Sequence, residues 1–513
     1  MSDFPSGPPE PELTHALTAR VSGHNIAKRV FTAVTATGGR HLLAILAGIV
    51  IARGLGPTEF GNFMFLLAGF TTLHTLLDLS VSQGFYTFIC RQVWPVRLYA
   101  LYGAWIAAQF ILPVLVIWIA FPHSWIVEIW RGQPRLIVLI AFFASFAQRV
   151  FWQLVIQVYE AARLTIRVQI TTVSIMALHL AAVVLLHYLG LMTISVLFWL
   201  IGAEYAVGGA IMLVAISRRR AAAGPMPEST GLVLHQLLLF VGPLVPSLLM
   251  QSANGFAETW MLQIFGGSEQ QAFFGVAQQY ANIGLIFGFS TTNVFWKELT
   301  AANARGDVAG MHRIYVNSTR VLFLSATLMV GFAVFWTGAL IHTLLGAAYD
   351  GAAPVFAVTL LTSISQCFGI VCTVIYSATS RTRIWSIFTL LYLAISFPGS
   401  ILVLWLWKLG AIGLALKLTL LSTGSILLYD WYISRQYGWK TDNLFRLSAG
   451  VILFAFGWAS HLLASSLFGV AQPLVQVAIG LAVYLTLVLP LLFYGARRFG
   501  YLNYLRELRS RLT

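Results

Sequence analysis

Charged side chains are scarce in this sequence, and their scarcity decides the class of protein. Only 9% of the 513 residues are Asp, Glu, Lys or Arg, whereas 58% are hydrophobic. Because ordinary soluble domains carry about 25% charged residues, the composition excludes a soluble fold of the usual kind. It predicts a polytopic membrane protein.

Cysteine and catalytic motifs are also nearly absent. Cys90, Cys367 and Cys372 are too few and too apolar in setting for a disulfide framework or a Cys-rich metal site. The sequence contains no Walker loop, no HExxH motif and no DxD-like acidic cluster. ATP hydrolysis, metal-dependent glycosyl transfer and polymerase chemistry therefore have no visible site, and we predict a transporter rather than an enzyme.

Acidic residues are fewer than basic ones, 17 against 31, which gives a net charge of +14. In a soluble protein this balance would suggest nucleic acid, but in a membrane protein it reports loops held on the cytoplasmic side, so no nucleic-acid partner is expected. The first residues lack the basic start and short apolar core of a cleavable signal. Residues 1–27 are predicted to form a disordered cytosolic tail.

Long apolar runs are what the sequence does contain. Segments of about 20 residues cross a bilayer as helices, and about fourteen transmembrane helices are predicted. With both termini in the cytoplasm, 24 of the 31 basic residues lie on that side, as the positive-inside rule requires. The predicted spans lie near 30–52, 60–83, 98–120, 136–158, 168–189, 194–216, 232–264, 272–295, 319–341, 353–376, 384–406, 411–433, 445–466 and 473–495.

The first six predicted spans recur as the next six. The turn that contains Gly56, in the run LGPTEFG, matches the turn at Gly266 at an offset of 210, and Leu189-Gly190 matches Leu409-Gly410 at 220. Six is an even number, so both halves start from the same side and are parallel repeats. The predicted units are a first six-helix bundle at 28–216, a basic linker at 217–231, a second bundle at 232–434, and two further helices with a basic tail at 435–513.

Polar and ionisable residues within the spans are the candidate functional residues. A charge inside the membrane costs about 2.5–3.5 kcal/mol on insertion scales, so it is a functional candidate by default. The candidates for substrate binding are Arg40, Arg149, Lys417, Arg53, Gln251, Asn254, Gln278 and Asn282. The candidates for ion coupling are Asp78, Glu258, Glu204 and His74.

Structural alternatives remain for these residues. Neutral polar stripes also form by hydrogen bonding between packed helices. Arg40 and Lys417 either contact a ligand or pair internally with an acid such as Glu204 or Glu258. Arg53 is also suited to anchor a helix at the membrane interface.

Several motifs resemble those of a known family. The first turn, IARGLGPTEFG, and the second-half segments at 345–356, 376–383 and 409–415 resemble the Wzx-type lipid-linked oligosaccharide flippases. These belong to the multidrug/oligosaccharidyl-lipid/polysaccharide exporter (MOP) superfamily, and the likeness runs over about residues 25–435. It implies two parallel six-helix bundles around a V-shaped cavity that opens to one side at a time.

The resemblance also implies a cargo and a location. The cargo would be an oligosaccharide linked to undecaprenyl pyrophosphate, moved from the cytoplasmic to the periplasmic leaflet of the bacterial inner membrane. On this hypothesis Arg40, Arg149 and Lys417 neutralise the pyrophosphate, and Asp78 and Glu258 couple an H⁺ or Na⁺ gradient. No cofactor is expected, and the further partners are the bilayer and other polysaccharide assembly proteins.

Three other functions stay open from the sequence. The nearest is an ion-coupled drug or metabolite antiporter of the same superfamily, which would be expected to favour acids over buried cations. A membrane polysaccharide polymerase or ligase is a different class, which short outer loops and duplicated halves disfavour. A non-transporting scaffold of a polysaccharide assembly complex is the third.

Overall fold

Helices make up nearly all of the described chain. The computed structural model describes residues 23–91, 96–217, 245–379, 381–439, 442–467 and 472–498, with single positions at 231, 235, 238 and 242, and these contain no strand. The first helix begins at Gly23, slightly before the end of the predicted tail. Most of the predicted tail, nearly all of the basic linker and the C-terminal tail lie outside the described residues. The predicted all-α fold class is confirmed.

The first lobe consists of seven helices. They are α1 (Gly23–Asp78), α2 (Val81–Arg91), α3 (Val96–Leu115), α4 (His123–Ile129), α5 (Arg135–Ala161), α6 (Thr165–Tyr188) and α7 (Ile194–Ser217). Helix α1 carries two of the predicted spans, because its backbone breaks at Gly56, where φ is 74°. Helix α5 contains a π-helical turn at Ala147–Phe151.

The second lobe follows the same plan, and two helices are appended to it. Its helices are α8 (Val245–Phe265), α9 (Gly267–Ala281), α10 (Ile286–Ala304), α11 (Val308–Ala333), α12 (Thr337–Leu345), α13 (Ala352–Ala378), α14 (Thr382–Ile401) and α15 (Gly410–Tyr437). The appended helices are α16 (Asn443–Leu467) and α17 (Pro473–Arg498). They pack against α11 and α12 of the second lobe.

The number of spans is roughly consistent with the predicted fourteen. Within the described residues, eleven helical segments are long and apolar enough to cross a membrane. One of them, Gly38–Asp78, holds two predicted spans on either side of Gly56. The predicted seventh and eighth spans are not among the eleven. The first third of the seventh lies largely outside the described residues, its described part, α8, is rich in amides, and α9 is short and glutamine-rich. The polar character of these two helices is thus a feature of the fold.

Glycines with left-handed backbone mark the two repeats. Gly190 and Gly410 both have positive φ, 66° and 59°, as the sequence match predicts. At the first turn the match placed Gly266 on Gly56, which is wrong by one residue, because the left-handed glycine is Gly267, with φ of 84°. Positive φ favours glycine, so either glycine of the Gly-Gly pair satisfied the sequence pattern and only the backbone distinguishes them.

The two lobes meet at the end of the bundle that carries Gly56 and Gly267, here called the turn end. Ser268 Oγ donates a hydrogen bond to Asn62 Oδ1 at 2.7 Å. Gln263 Nε2 donates to Asn62 Oδ1 at 3.2 Å and to Ser268 Oγ at 2.9 Å. Gly61 lies directly against the Ser268 carbonyl oxygen, so a Cβ at position 61 would clash with it.

Further hydrogen bonds between the lobes extend from the turn end along α1 as far as Ala44. They run from Tyr349 Oη to Ala52 O (2.8 Å), from Arg53 Nη2 to Thr343 O (2.6 Å), from Gln279 Nε2 to Ala44 O (3.0 Å) and from Trp260 Nε1 to Ile129 O (3.2 Å). The lobes are therefore joined by amide, indole, hydroxyl and carbonyl groups, with Arg53 as the one charged donor among these bonds, and by a buried hydrophobic cluster to which both lobes contribute.

The close approach at Gly61 predicts that Gly61→Ala lowers the thermal unfolding midpoint of the detergent-purified protein. The added methyl must push the two lobes apart, and overpacking typically costs about 1–3 kcal/mol. Gly103→Ala is the matched control, because Gly103 is exposed on α3 and a Cβ there meets no neighbour. Alanine favours a helix over glycine by about 1 kcal/mol, so the midpoint of Gly103→Ala should equal or slightly exceed that of the wild type. A midpoint of Gly61→Ala that is as high as that of Gly103→Ala would contradict the tight lobe contact.

Candidate functional site

A polar cavity of about 600 Å³ lies in the first lobe, in the half away from the turn end. Helices α1, α2, α3, α5, α6 and α7 supply its lining, and Leu248 of α8 is the one lining residue from the second lobe. The volume is typical of ligand sites, which span about 300–1,000 Å³. The sequence placed the expected cavity centrally between the halves, whereas this cavity belongs almost entirely to one of them.

Two arginines line this cavity. Arg149 lies on the π-helical turn of α5, and Arg40 lies on α1. Arg149 is exposed because it faces the cavity, although protein atoms surround it on most sides, and Arg40 is half-buried. A π-helical turn adds a residue to the helix and is frequent at functional sites. Gly209 of α7 leaves room for the ring of Phe151, which lies on this turn.

Neither arginine has a carboxylate partner among the described residues. No ion pair involves Arg40 or Arg149 there, and both side chains line the same cavity. Asp78 is the carboxylate among the lining residues. With histidines counted as neutral, the lining thus carries two positive charges and one negative charge, an excess that suits an anion with several oxygens.

Asp78 lies at a break in the helix beside the cavity. Leu79 and Ser80 have left-handed φ values of 50° and 63°, and α2 starts immediately after them. The Asp78 carboxylate accepts hydrogen bonds from Ser82 Oγ at 2.6 Å and from Ser82 N at 3.3 Å. Non-glycine residues in this conformation cost about 1–3 kcal/mol each, so the carboxylate helps to hold a strained junction.

His74 lines the same cavity but is packed rather than open. It is buried, and its ring lies 4.9 Å from that of Phe142 and 5.8 Å from that of Phe146, measured between centroids. Of the residues predicted to couple ions, Asp78 and His74 are therefore the two that the structure brings together with the arginines.

Glu258 and Lys417 form a separate, buried ion pair in the second lobe. The Lys417 ammonium donates to Glu258 Oε1, to Ser400 Oγ at 2.8 Å and to Ser396 Oγ at 3.0 Å. Asn254 Nδ2 donates to the same Glu258 oxygen at 2.8 Å. Of the alternatives that the sequence left open for Lys417, the structure contains the internal pair with Glu258, and neither residue lines the cavity.

The remaining predicted residues lie outside the cavity. Glu204 pairs with His179 Nδ1 at 2.8 Å. Arg53 is exposed at the turn end and bonds to the Thr343 carbonyl. Gln251, Gln278 and Asn282 lie on α8 and at the end of α9, and none of them lines the cavity.

Sequence reasoning missed a third buried ion pair. Arg446 Nη1 donates to Asp430 Oδ2 at 3.0 Å, and Tyr315 Oη donates to Asp430 Oδ1 at 2.6 Å. The Arg446 guanidinium also lies 4.2 Å from the centroid of the Phe368 ring. Arg446 lies at the start of the predicted thirteenth span, where the positive-inside rule already accounts for a basic residue. Asp430, however, falls within the predicted twelfth span. Like Glu258, it is an acidic residue inside a span, and on that ground it could have been chosen as a candidate.

The fold resembles that of transporters of known structure. The lipid II flippase MurJ, in an inward closed conformation, superposes with a TM-score of 0.65 over 88% of this chain and 97% of its own, at 12% identity. A multidrug resistance MATE family transporter of the MOP superfamily, in an inward-facing conformation, gives 0.63 over 78% and 94%, at 14% identity. A MOP superfamily transporter from Pyrococcus furiosus gives 0.54 over 80% and 96%, at 12% identity.

These likenesses establish the fold. At 12–14% identity they show that the chain has the architecture of MOP superfamily transporters and is a multi-pass membrane protein. No protein-family model matches the chain, and no curated protein matches it significantly.

The buried pair of Asp430 and Arg446 predicts a large stability effect. Arg446→Ala leaves a buried carboxylate without its cation, and breaking such a pair costs about 3–5 kcal/mol. We therefore expect a clear fall in the thermal unfolding midpoint, which Asp430→Asn combined with Arg446→Met should partly reverse. The control is Asp350→Asn, because the pair of Asp350 and His342 is exposed and surface pairs contribute little. Equal effects of Arg446→Ala and Asp350→Asn would contradict the assignment.

Proposed function

We propose that this protein flips an undecaprenyl-pyrophosphate-linked oligosaccharide from the cytoplasmic to the periplasmic leaflet of the bacterial inner membrane by alternating access. The product would feed synthesis of a surface polysaccharide such as an exopolysaccharide or lipopolysaccharide. The proposal rests on one observation above all, the polar cavity that carries Arg40 and Arg149 without an ion-pair partner in the described residues.

The two arginines fit a pyrophosphate group. Guanidinium groups bind phosphate oxygens in bidentate geometry and keep their charge at any physiological pH. An arginine without a carboxylate partner inside a membrane protein is costly, and a doubly charged anion would compensate both cations at once. Lys417, the third basic residue of the sequence hypothesis, does not join them, because Glu258 already neutralises it.

The neutral lining of the cavity suits a sugar. Gln148, Gln153 and Thr75 line it beside the arginines and offer amide and hydroxyl groups. Sugar hydroxyls would lose their water in a hydrocarbon core of about 30 Å, at a cost of several kcal/mol for each unpaired group. A polar cavity replaces part of that water, while a polyprenyl tail can stay in lipid.

The position of the cavity suits loading from the cytoplasm. Hydrogen bonds between the lobes join the turn end, and the positive-inside rule places that end in the periplasm. The cavity then lies in the cytoplasmic half, where the lipid-linked sugar would enter. Outward movement of anionic charge gains about 2.3 kcal/mol per charge for each 100 mV of potential, and Asp78 is the ion-coupling candidate beside the cavity.

A drug antiporter of the same superfamily is the nearest competing function, since one structural relative is a multidrug transporter. The charge of the cavity argues against a cationic cargo. Arg40 and Arg149 together outweigh Asp78, so the lining would repel a cation and attract an anion.

The proposal predicts the effect of Arg149→Ala and Arg40→Ala in a strain whose surface polysaccharide requires this protein. Loss of a hydrogen bond to a charged group removes about 1.5–3 kcal/mol, which corresponds to roughly 10- to 100-fold in binding. Each variant should make much less polysaccharide at a normal protein level and accumulate the lipid-linked sugar in the cytoplasmic leaflet. Arg149→Lys should fall between wild type and Arg149→Ala.

The control for this experiment is Arg313→Ala, which removes an exposed arginine from α11 that lines no cavity described above. Its polysaccharide level should equal that of the wild type. Normal polysaccharide in both cavity variants would remove the arginines from the proposed site. Deletion without accumulation of any lipid-linked sugar would favour the antiporter or the scaffold.

A further inference from the structure

The Lys417 ammonium is surrounded by oxygen atoms in the way that a bound metal cation is. It contacts Glu258 Oε1, Ser400 Oγ at 2.8 Å, Ser396 Oγ at 3.0 Å and the Ser396 carbonyl oxygen at 3.5 Å. These oxygens come from α8 and α14, whereas the lysine comes from α15. A carboxylate, two hydroxyls and a backbone carbonyl are the kinds of ligand that hard cations bind in proteins.

The site holds more oxygen than the lysine uses. An ammonium has three hydrogens to donate, yet four oxygen atoms lie around it. The Glu258 carboxylate gathers these groups around one oxygen atom. Besides the ammonium, Glu258 Oε1 accepts hydrogen bonds from Asn254 Nδ2 at 2.8 Å, from Ser396 Oγ at 3.0 Å and from Ser400 Oγ at 3.3 Å. The carboxylate is therefore the charged centre of an oxygen-rich site.

The site is closed to solvent. Ser396 and Ser400 are completely buried, Lys417 is 5% exposed, and the Glu258 side chain, at 12%, is the most exposed of the four. The aliphatic stem of Lys417 packs against α14 at Gly399. A Cβ added to that glycine would lie 3.3 Å from Lys417 Cδ. None of these residues lines the cavity of the first lobe. The lysine side chain thus crosses a packed interior to reach the oxygens. Because it is covalently attached to α15, its ammonium cannot leave the site as a free ion would.

We propose that the second lobe contains a site for a monovalent cation such as Na⁺, and that the Lys417 ammonium permanently occupies it. In the wild type the tethered ammonium excludes a free ion, so Glu258 takes no part in coupling to an ion gradient. Removal of the ammonium alone should convert the site into one that binds Na⁺. This inference does not depend on the cargo of the first-lobe cavity.

The variant that tests it is Lys417→Met. Methionine retains the stem of the lysine but ends one atom before Nζ, so it empties the cation position and leaves the packing. A buried Glu258 without a cation is strongly unfavourable, which gives Na⁺ a reason to bind. Purified wild type and variant are titrated with NaCl against choline chloride at constant ionic strength, with isothermal titration calorimetry and thermal unfolding as readouts.

The wild type should bind no Na⁺ at this site and unfold at the same temperature in both salts. Lys417→Met should bind one Na⁺, and its unfolding midpoint should rise by about 2–5 °C when Na⁺ is roughly 100-fold above its dissociation constant. Glu258→Gln combined with Lys417→Met should lose this response, because the carboxylate is gone. Lys408→Met, which removes an exposed lysine, should behave as the wild type.

Two results would overturn the inference. One is Na⁺ binding by the wild type that Glu258→Gln abolishes, since the ammonium would then not exclude the ion. The other is a folded Lys417→Met protein that does not distinguish Na⁺ from choline. If Lys417→Met is unstable, the yield of folded protein after purification in NaCl and in choline chloride is compared. Recovery in NaCl alone supports the site, and equal loss in both salts contradicts it.

Discussion

The cost of a charge inside a membrane governs this structure. A charged group in the interior must be paired, or it must face water or a ligand. Two buried ion pairs meet this requirement within the packed helices, between Glu258 and Lys417 and between Asp430 and Arg446, and Glu204 bonds to the ring of His179. Arg40 and Arg149 meet it differently, by facing the cavity. This division separates residues that hold the fold from those available to a ligand.

The helices and their repetition were predictable because they depend on composition and length. A span needs only enough apolar residues in succession, and the loops report their side of the membrane through Lys and Arg. Detail at a turn was less predictable, as the Gly266-Gly267 pair illustrates. Both residues match the sequence pattern, and only the backbone angle identifies Gly267 as the equivalent of Gly56.

The candidate site was only partly predictable, because periodicity identifies a helix face but not what that face meets. The stripe on α8 that contains Gln251 and Glu258 looks the same in sequence as the stripe on α5 that contains Arg149. In the structure, Glu258 of the α8 stripe bonds to a lysine from α15, whereas Arg149 of the α5 stripe faces the cavity. At the π-helical turn of Arg149, the Phe151 ring packs directly against Gly209, which is distant in sequence. Contacts of this kind are decided by packing between helices.

The same division explains how two lobes could separate without breaking the protein. Each buried ion pair lies within one lobe or joins the second lobe to its appended helix, so none of them crosses between the two lobes. The lobes are joined to each other by hydrogen bonds of mostly neutral groups at the turn end. Such bonds contribute about 0.5–1.5 kcal/mol each, whereas breaking a buried pair costs about 3–5 kcal/mol. Opening at the turn end would therefore separate these hydrogen bonds and the apolar contacts that the lobes share there, such as that of Phe60 with Tyr349, and leave the ion pairs intact.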